Sequence, residues 1–253
     1  MEWGWRLRRL ERALRARLTL MRPGAPPLLG ATGPLLRMEY PGPPQSRKLL
    51  VFLPGIGDLA EDFERHGFID ELRRVRPAVH AVAVDAHYGY YHSRTLFDRL
   101  TEDVLTAAQA AGFRQVWLAG ISMGGFGAAA YAAHHAGRVA GLMLLAPYPG
   151  EAHVLDEIRA AGGLLQWQGG NGGEQDLSRR TWHWLREQAA GSGGETALWL
   201  GYGSGDRFAT GDGLLRQALP PERGVVLPGG HDWRTWRKLW RAMLERDPFG
   251  GDD

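Results

Sequence analysis

The chain has 253 residues, 44% of them hydrophobic and 23% charged, a balance that suits one globular α/β domain with a large core. It has no cysteine, which excludes disulfides and thiolate metal sites, and its net charge of +2 is too small to argue for a nucleic-acid partner. That charge is unevenly placed: residues 1–22 carry seven arginines against Glu2 and Glu11, a local net of +5, leaving the remainder near −3.

Residues 3–21 read as an amphipathic helix within an N-terminal segment 1–22. Trp3, Leu7, Leu10, Leu14, Leu18 and Met21 recur every three or four positions, with arginines between them. Two roles fit this pattern: peripheral contact with an anionic membrane, Trp3 and Trp5 at headgroup level, or an arm packed on the domain or on a second subunit. Arginines interrupt every apolar stretch, which argues against a secretory signal, and no run is long enough to span a membrane. The expected location is the cytoplasm, with or without peripheral membrane contact.

Residues 23–34 are a Pro- and Gly-rich linker, and the main domain is expected over 35–246. Leu35–Tyr40 reads as a strand, and Lys48–Leu53 (KLLVFL) as a fully buried one ending in Pro54-Gly55-Ile56-Gly57-Asp58. A helix over 59–75 and a strand over 79–85 follow, then an aromatic loop holding His87, Tyr88, Tyr90, Tyr91 and His92. A helix over 95–111 leads to the strand-forming Val116, Trp117 and Leu118, and small residues suited to a helix run from Ala128 to Ala133. Val139–Leu145 is the next strand. Residues 147–195 interrupt the alternation with helical pieces near 151–161 and 176–190, expected to form a small lid that carries Trp167, Trp182 and Trp184. A strand at 197–201, a helix near 211–219, a strand at 224–227 and a closing helix to about 246 complete the domain, and 247–253 is expected to fray. Alternating strands and helices predict an α/β fold: a mostly parallel central sheet with helices on both faces, whose ligands bind beyond the carboxyl ends of the strands.

Chemistry concentrates at Gly120-Ile121-Ser122-Met123-Gly124, a G-x-S-x-G between a strand and a helix; of six serines only Ser122 stands in this frame. Such a turn exposes the hydroxyl at the positive end of a helix, while flanking glycines let neighbouring backbone approach. A serine hydroxyl needs a base, and the base an orienting acid. His231 lies between the last strand and the last helix, in Pro228-Gly229-Gly230-His231-Asp232-Trp233. Asp206 directly follows a strand, in Gly203-Ser204-Gly205-Asp206, with Asp212 as a nearby competitor. Asp232 reads as a helix N-terminal charge, and His134 and His135 as structural residues.

The order Ser, Asp, His resembles that of the α/β-hydrolases from about residue 35 to 246. Within them the chain is most similar to compact esterase D-like and S-formylglutathione-hydrolase-like serine esterases, whose closing Gly-x-His-Asp-Trp matches Gly229, His231 and Trp233. The resemblance implies a cofactor-free serine hydrolase acting on a small-molecule carboxylic ester or thioester. Its oxyanion hole would use the N–H groups of Met123 and Ile56, with Gly57 the alternative to Ile56. Pro54 stands where many relatives have histidine, a departure that backbone donors tolerate. Tyr88, Tyr90 and Tyr91 are candidate substrate-binding residues, or ordinary packing. No metal or nucleotide motif is apparent, and the sequence is silent on oligomeric state. The rivals are an acyltransferase using the same acyl-enzyme and a catalytically silent hydrolase-fold binding protein.

Overall fold

The structure is a computed structural model that describes residues 32–170, 173 and 175–250. The amphipathic segment 3–21 and most of the linker lie outside the described residues.

Seven strands form one sheet in the order β1-β3-β2-β4-β5-β6-β7. They are β1 (Arg37–Tyr40), β2 (Lys48–Leu53), β3 (His80–Val84), β4 (Gln115–Ile121), β5 (Gly141–Leu145), β6 (Ala197–Gly203) and β7 (Gly224–Leu227). β1 pairs antiparallel with β3, and every other neighbour is parallel. The expected mostly parallel sheet is therefore present. KLLVFL is buried at every position, because helices cover both of its faces and no solvent side is left to demand a polar alternate.

The helix expected over 59–75 is two, α1 (Ala60–Arg65) and α2 (Phe68–Val75), broken at Gly67, whose φ of 77° is left-handed. The aromatic stretch is no loop but a short helix, α3 (Tyr88–His92), opened by His87, whose Nδ1 accepts from the Gly89 N–H at 3.1 Å. The next helical stretch divides into α4 (Leu96–Leu100), a π-helical turn (Thr101–Leu105) and α5 (Thr106–Ala110). There follow α6 (Met123–His134), α7 (Ala152–Ala160), α8 (Leu177–Ala189), α9 (Ala209–Ala218) and α10 (Trp233–Leu244). Asp232 caps α10, accepting from the Thr235 N–H at 2.9 Å. Among the described residues no helix is long and apolar enough to cross a membrane.

The tail expected to fray is packed as far as Gly250. Phe249 is buried edge-on against Trp117, with ring centroids 5.0 Å apart. Arg76 pairs with Asp247 at 3.0 Å, and Lys48 Nζ donates to the Gly250 carbonyl at 3.3 Å.

The small residues around Ser122 are required by contact. A Cβ on Gly120 would lie 2.2 Å from the Gly124 carbonyl oxygen, and one on Gly124 would lie 2.2 Å from the Leu53 carbonyl oxygen. Both partners are backbone and cannot rotate away. Gly124→Ala should therefore destabilise the fold by about 3 kcal/mol, read as a lowered denaturant midpoint at unchanged m-value. A midpoint within error of wild type would show that the turn yields to a methyl group.

Candidate active site

The site forms where β4, β6 and β7 end. Ser122 follows β4 with φ 54° and ψ −117°, a strained turn held by backbone. Its N–H donates to the Leu145 carbonyl at 3.0 Å, and its own carbonyl accepts from Phe126 and Tyr148 N–H groups at 3.1 and 2.9 Å. Met123, its successor, is the first residue of α6, so its N–H has no acceptor within the helix.

The loops after β6 and β7 are tied together by backbone bonds, Ser204 N–H to Leu227 O at 2.8 Å and Gly205 N–H to Gly229 O at 2.9 Å. This brings Asp206 and His231 to Ser122. His231 Nε2 lies 2.9 Å from Ser122 Oγ, while Nδ1 lies 2.8 and 3.0 Å from the two oxygens of Asp206. An ionised carboxylate only accepts, so in the neutral ring Nδ1 carries the hydrogen and Nε2 is left to accept from the serine hydroxyl. The Asp206 side chain is wholly buried and also accepts from the Phe208 N–H at 2.8 Å. Phe208 and Trp236 meet the His231 ring almost perpendicularly, at centroid separations of 5.0 and 4.9 Å, and fix its plane.

The competitor, Asp212, lies in α9 and shares no hydrogen bond or ion pair with His231, whose carboxylate partner is Asp206. It is buried, its Oδ2 has no hydrogen-bond partner, and burial together with the nearby Asp206 charge raises its pKa well above the usual aspartate value. A raised folded-state pKa has a definite consequence. The unfolded carboxyl ionises first as pH rises, so the folded state loses relative stability above the ordinary aspartate pKa and keeps it below. Asp212→Asn should raise Tm by about 2–4 °C at pH 7, with the gain vanishing below about pH 4. A gain that persists unchanged in acid would refute this reading.

Ile56 lines the cleft beside Ser122 and Met123. Its loop passes close to the serine, since a Cβ on Gly55 would lie 3.7 Å from Ser122 Cβ. Asp58 accepts from Trp233 Nε1 at 3.1 Å, linking this loop to the one that carries His231. Trp233 also stacks on His66, with ring centroids 4.5 Å apart.

A cleft of about 540 Å³ opens over the serine. Tyr88 and Tyr91 line it, but Tyr90 does not: it is buried, and its hydroxyl donates to the Pro34 carbonyl at 3.1 Å. The Tyr91 hydroxyl is itself buried against Gly127 without a partner, and burial raises its pKa. Trp167, Trp182 and Trp184 are buried packing residues, and none of them lines the cleft. The segment expected to form a lid, 147–195, contributes Tyr148, Glu151 and Leu177 to the lining. Phe126, Arg207 and Phe208 also line it, and these three and Tyr148 escaped the sequence reading. Their signal was position: Arg207 and Phe208 adjoin Asp206, and Tyr148 follows the carboxyl end of a strand. His134 and His135 sit at the far end of α6, with His134 Nδ1 3.2 Å from Arg180. No group of three or more His, Asp or Glu side chains among the described residues is arranged to hold a metal.

The family model described as the alpha/beta hydrolase fold matches residues 48–171, a stretch that contains Ser122 and ends before Asp206 and His231. No curated protein matches the sequence. Among solved structures the chain is similar to S-formylglutathione hydrolase (FrmB) from Staphylococcus aureus, with TM-score 0.59 and 16% identity over 86% of this chain and 98% of that one. It is also similar to a ferulic acid esterase, with TM-score 0.58 and 18% identity over 81% and 86%. Monoacylglycerol lipase from Paleococcus ferrophilus gives TM-score 0.51 and 14% identity over 85% and 100%. At such identities the likeness is one of fold. The protein has the α/β-hydrolase fold, as the resemblance read from its sequence implied.

Proposed function

We propose that the protein is a carboxylic ester hydrolase working through an acyl-enzyme on Ser122. The observation that carries this reading is the continuous hydrogen-bonded line from Ser122 Oγ through His231 to buried Asp206. The esterases and lipases among the fold neighbours support the same class.

In this mechanism Ser122 Oγ attacks the acyl carbon while His231 Nε2 takes its proton. Asp206 holds the ring in the tautomer that leaves Nε2 free, and stabilises the imidazolium that forms. The oxyanion is held by the N–H groups of Met123 and Ile56, at the positive end of α6. His231 returns the proton to the leaving oxygen or sulfur. Water then attacks the acyl carbon as Nε2 takes its proton, and the acyl–Oγ bond breaks as Nε2 passes that proton to Ser122 Oγ, releasing the acid and the free serine. Tyr88 and Tyr91 contribute to the wall that receives the substrate. No cofactor takes part in these steps.

Hydrolysis of p-nitrophenyl esters from acetate to palmitate tests the reading. Wild type should turn over at least one of them, and the preferred chain length measures the depth of the acyl pocket. A folded protein inert on the whole series would count against an ester hydrolase.

A further inference from the structure

Two formally charged side chains line the cleft, Arg207 and Glu151, among mainly aromatic and apolar neighbours. They differ in how far their charges are already answered. Glu151 is the N-cap residue of α7, so its carboxylate stands at the positive end of a nine-residue helix. Its charge helps to raise the Tyr148 pKa, after the larger effect of burial.

Arg207 has no such compensation. It is exposed, and among the described residues its guanidinium has no hydrogen-bond or ion-pair acceptor. The guanidinium lies over the Phe208 ring, 4.8 Å from its centroid. The same ring meets the His231 imidazole at 5.0 Å. Phe208 thus packs against both this guanidinium and the base, and among the described residues the planar N–H fork is left unpaired. A fork of that kind matches a carboxylate or phosphate group in two-point contact.

We propose that the cleft takes esters carrying a negative charge, and that Arg207 binds the charged group. This rests on the serine-esterase reading of the site and adds the class of substrate to it. The anion is a substituent of the acyl chain or of the leaving group, directed toward Arg207. Arg207 acts on binding and orientation, with no part in proton transfer.

The test compares matched pairs of esters. For the acyl side the pair is p-nitrophenyl hexanoate and the mono-p-nitrophenyl ester of adipic acid. For the leaving-group side it is methyl 4-acetoxybenzoate and 4-acetoxybenzoate. Within each pair the ratio of kcat/KM, charged over neutral, cancels general damage to the enzyme. In at least one pair Arg207→Gln should lower the ratio about five-fold, while Glu151→Gln should raise it about two-fold by removing a repulsive charge. Arg207→Lys should restore part of the loss, and 0.5 M salt should shrink the wild-type preference. The responsive pair identifies which side of the ester carries the anion. Ratios that Arg207→Gln leaves unchanged in both pairs would overturn the proposal while leaving the esterase reading intact. A wild-type enzyme that hydrolyses none of the four, nor any p-nitrophenyl ester from acetate to palmitate, would sink the esterase reading itself.

Discussion

Ser122→Ala should lower ester turnover about 10⁶-fold, the scale on which an attacking hydroxyl is lost from a hydrogen-bonded triad. The fold should survive, because the bonds that hold this turn are made by the Ser122 backbone, to Leu145, Phe126 and Tyr148. Alanine has the same Cβ as serine and adds no strain at φ 54°. The side chain gives up its single contact with His231 Nε2. The far-ultraviolet circular dichroism spectrum should match wild type, with Tm within a few degrees. Residual turnover above about one part in a thousand, with contaminating esterase excluded, would mean that another group attacks the ester.

Asp206→Asn should lower kcat about 10⁴-fold with little change in stability. The carboxylate serves two donors at once, the Phe208 N–H at 2.8 Å and the His231 ring at 2.8 and 3.0 Å. An asparagine has one accepting oxygen. If that oxygen faces Phe208, the amide NH₂ points at Nδ1 and forces the hydrogen onto Nε2, where it can no longer accept the serine proton. If the amide turns over, two donors face each other at Phe208. Either way the imidazolium formed during attack loses its counter-charge. Asp212→Asn should not reproduce this loss, since Asp212 shares no hydrogen bond or ion pair with the histidine. Equal losses in the two variants would overturn the assignment of the acid.

Much of this architecture was legible in the chain. The continuous apolar run KLLVFL marks a strand covered on both faces, and the β2 boundaries follow directly from it. The site could be read because its three members each stand at the end of a strand, in short Gly-rich loops that parallel topology gathers at one edge. Other features depend on contacts between distant residues and leave no local pattern. Glycine and aromatic rings are weak helix formers, so YGYYH gave no helical signal, yet it closes a turn capped by His87. Tyr90 and Tyr91 are adjacent in sequence but point to different places, one to the Pro34 carbonyl and the other to Gly127. Phe249 follows α10 in a stretch rich in Gly and Asp, and only the presence of Trp117 across the molecule explains its burial. Helical spacing alone could not distinguish tryptophans that pack helices from tryptophans that cover a substrate.

The nucleophile is tested most directly by treating wild type and Ser122→Ala with a fluorophosphonate and mapping the adduct by peptide mass spectrometry. The mechanism predicts a single adduct, on the peptide containing Ser122, in wild type and none in the variant. An adduct on another residue, or labelling that persists in Ser122→Ala, would contradict it.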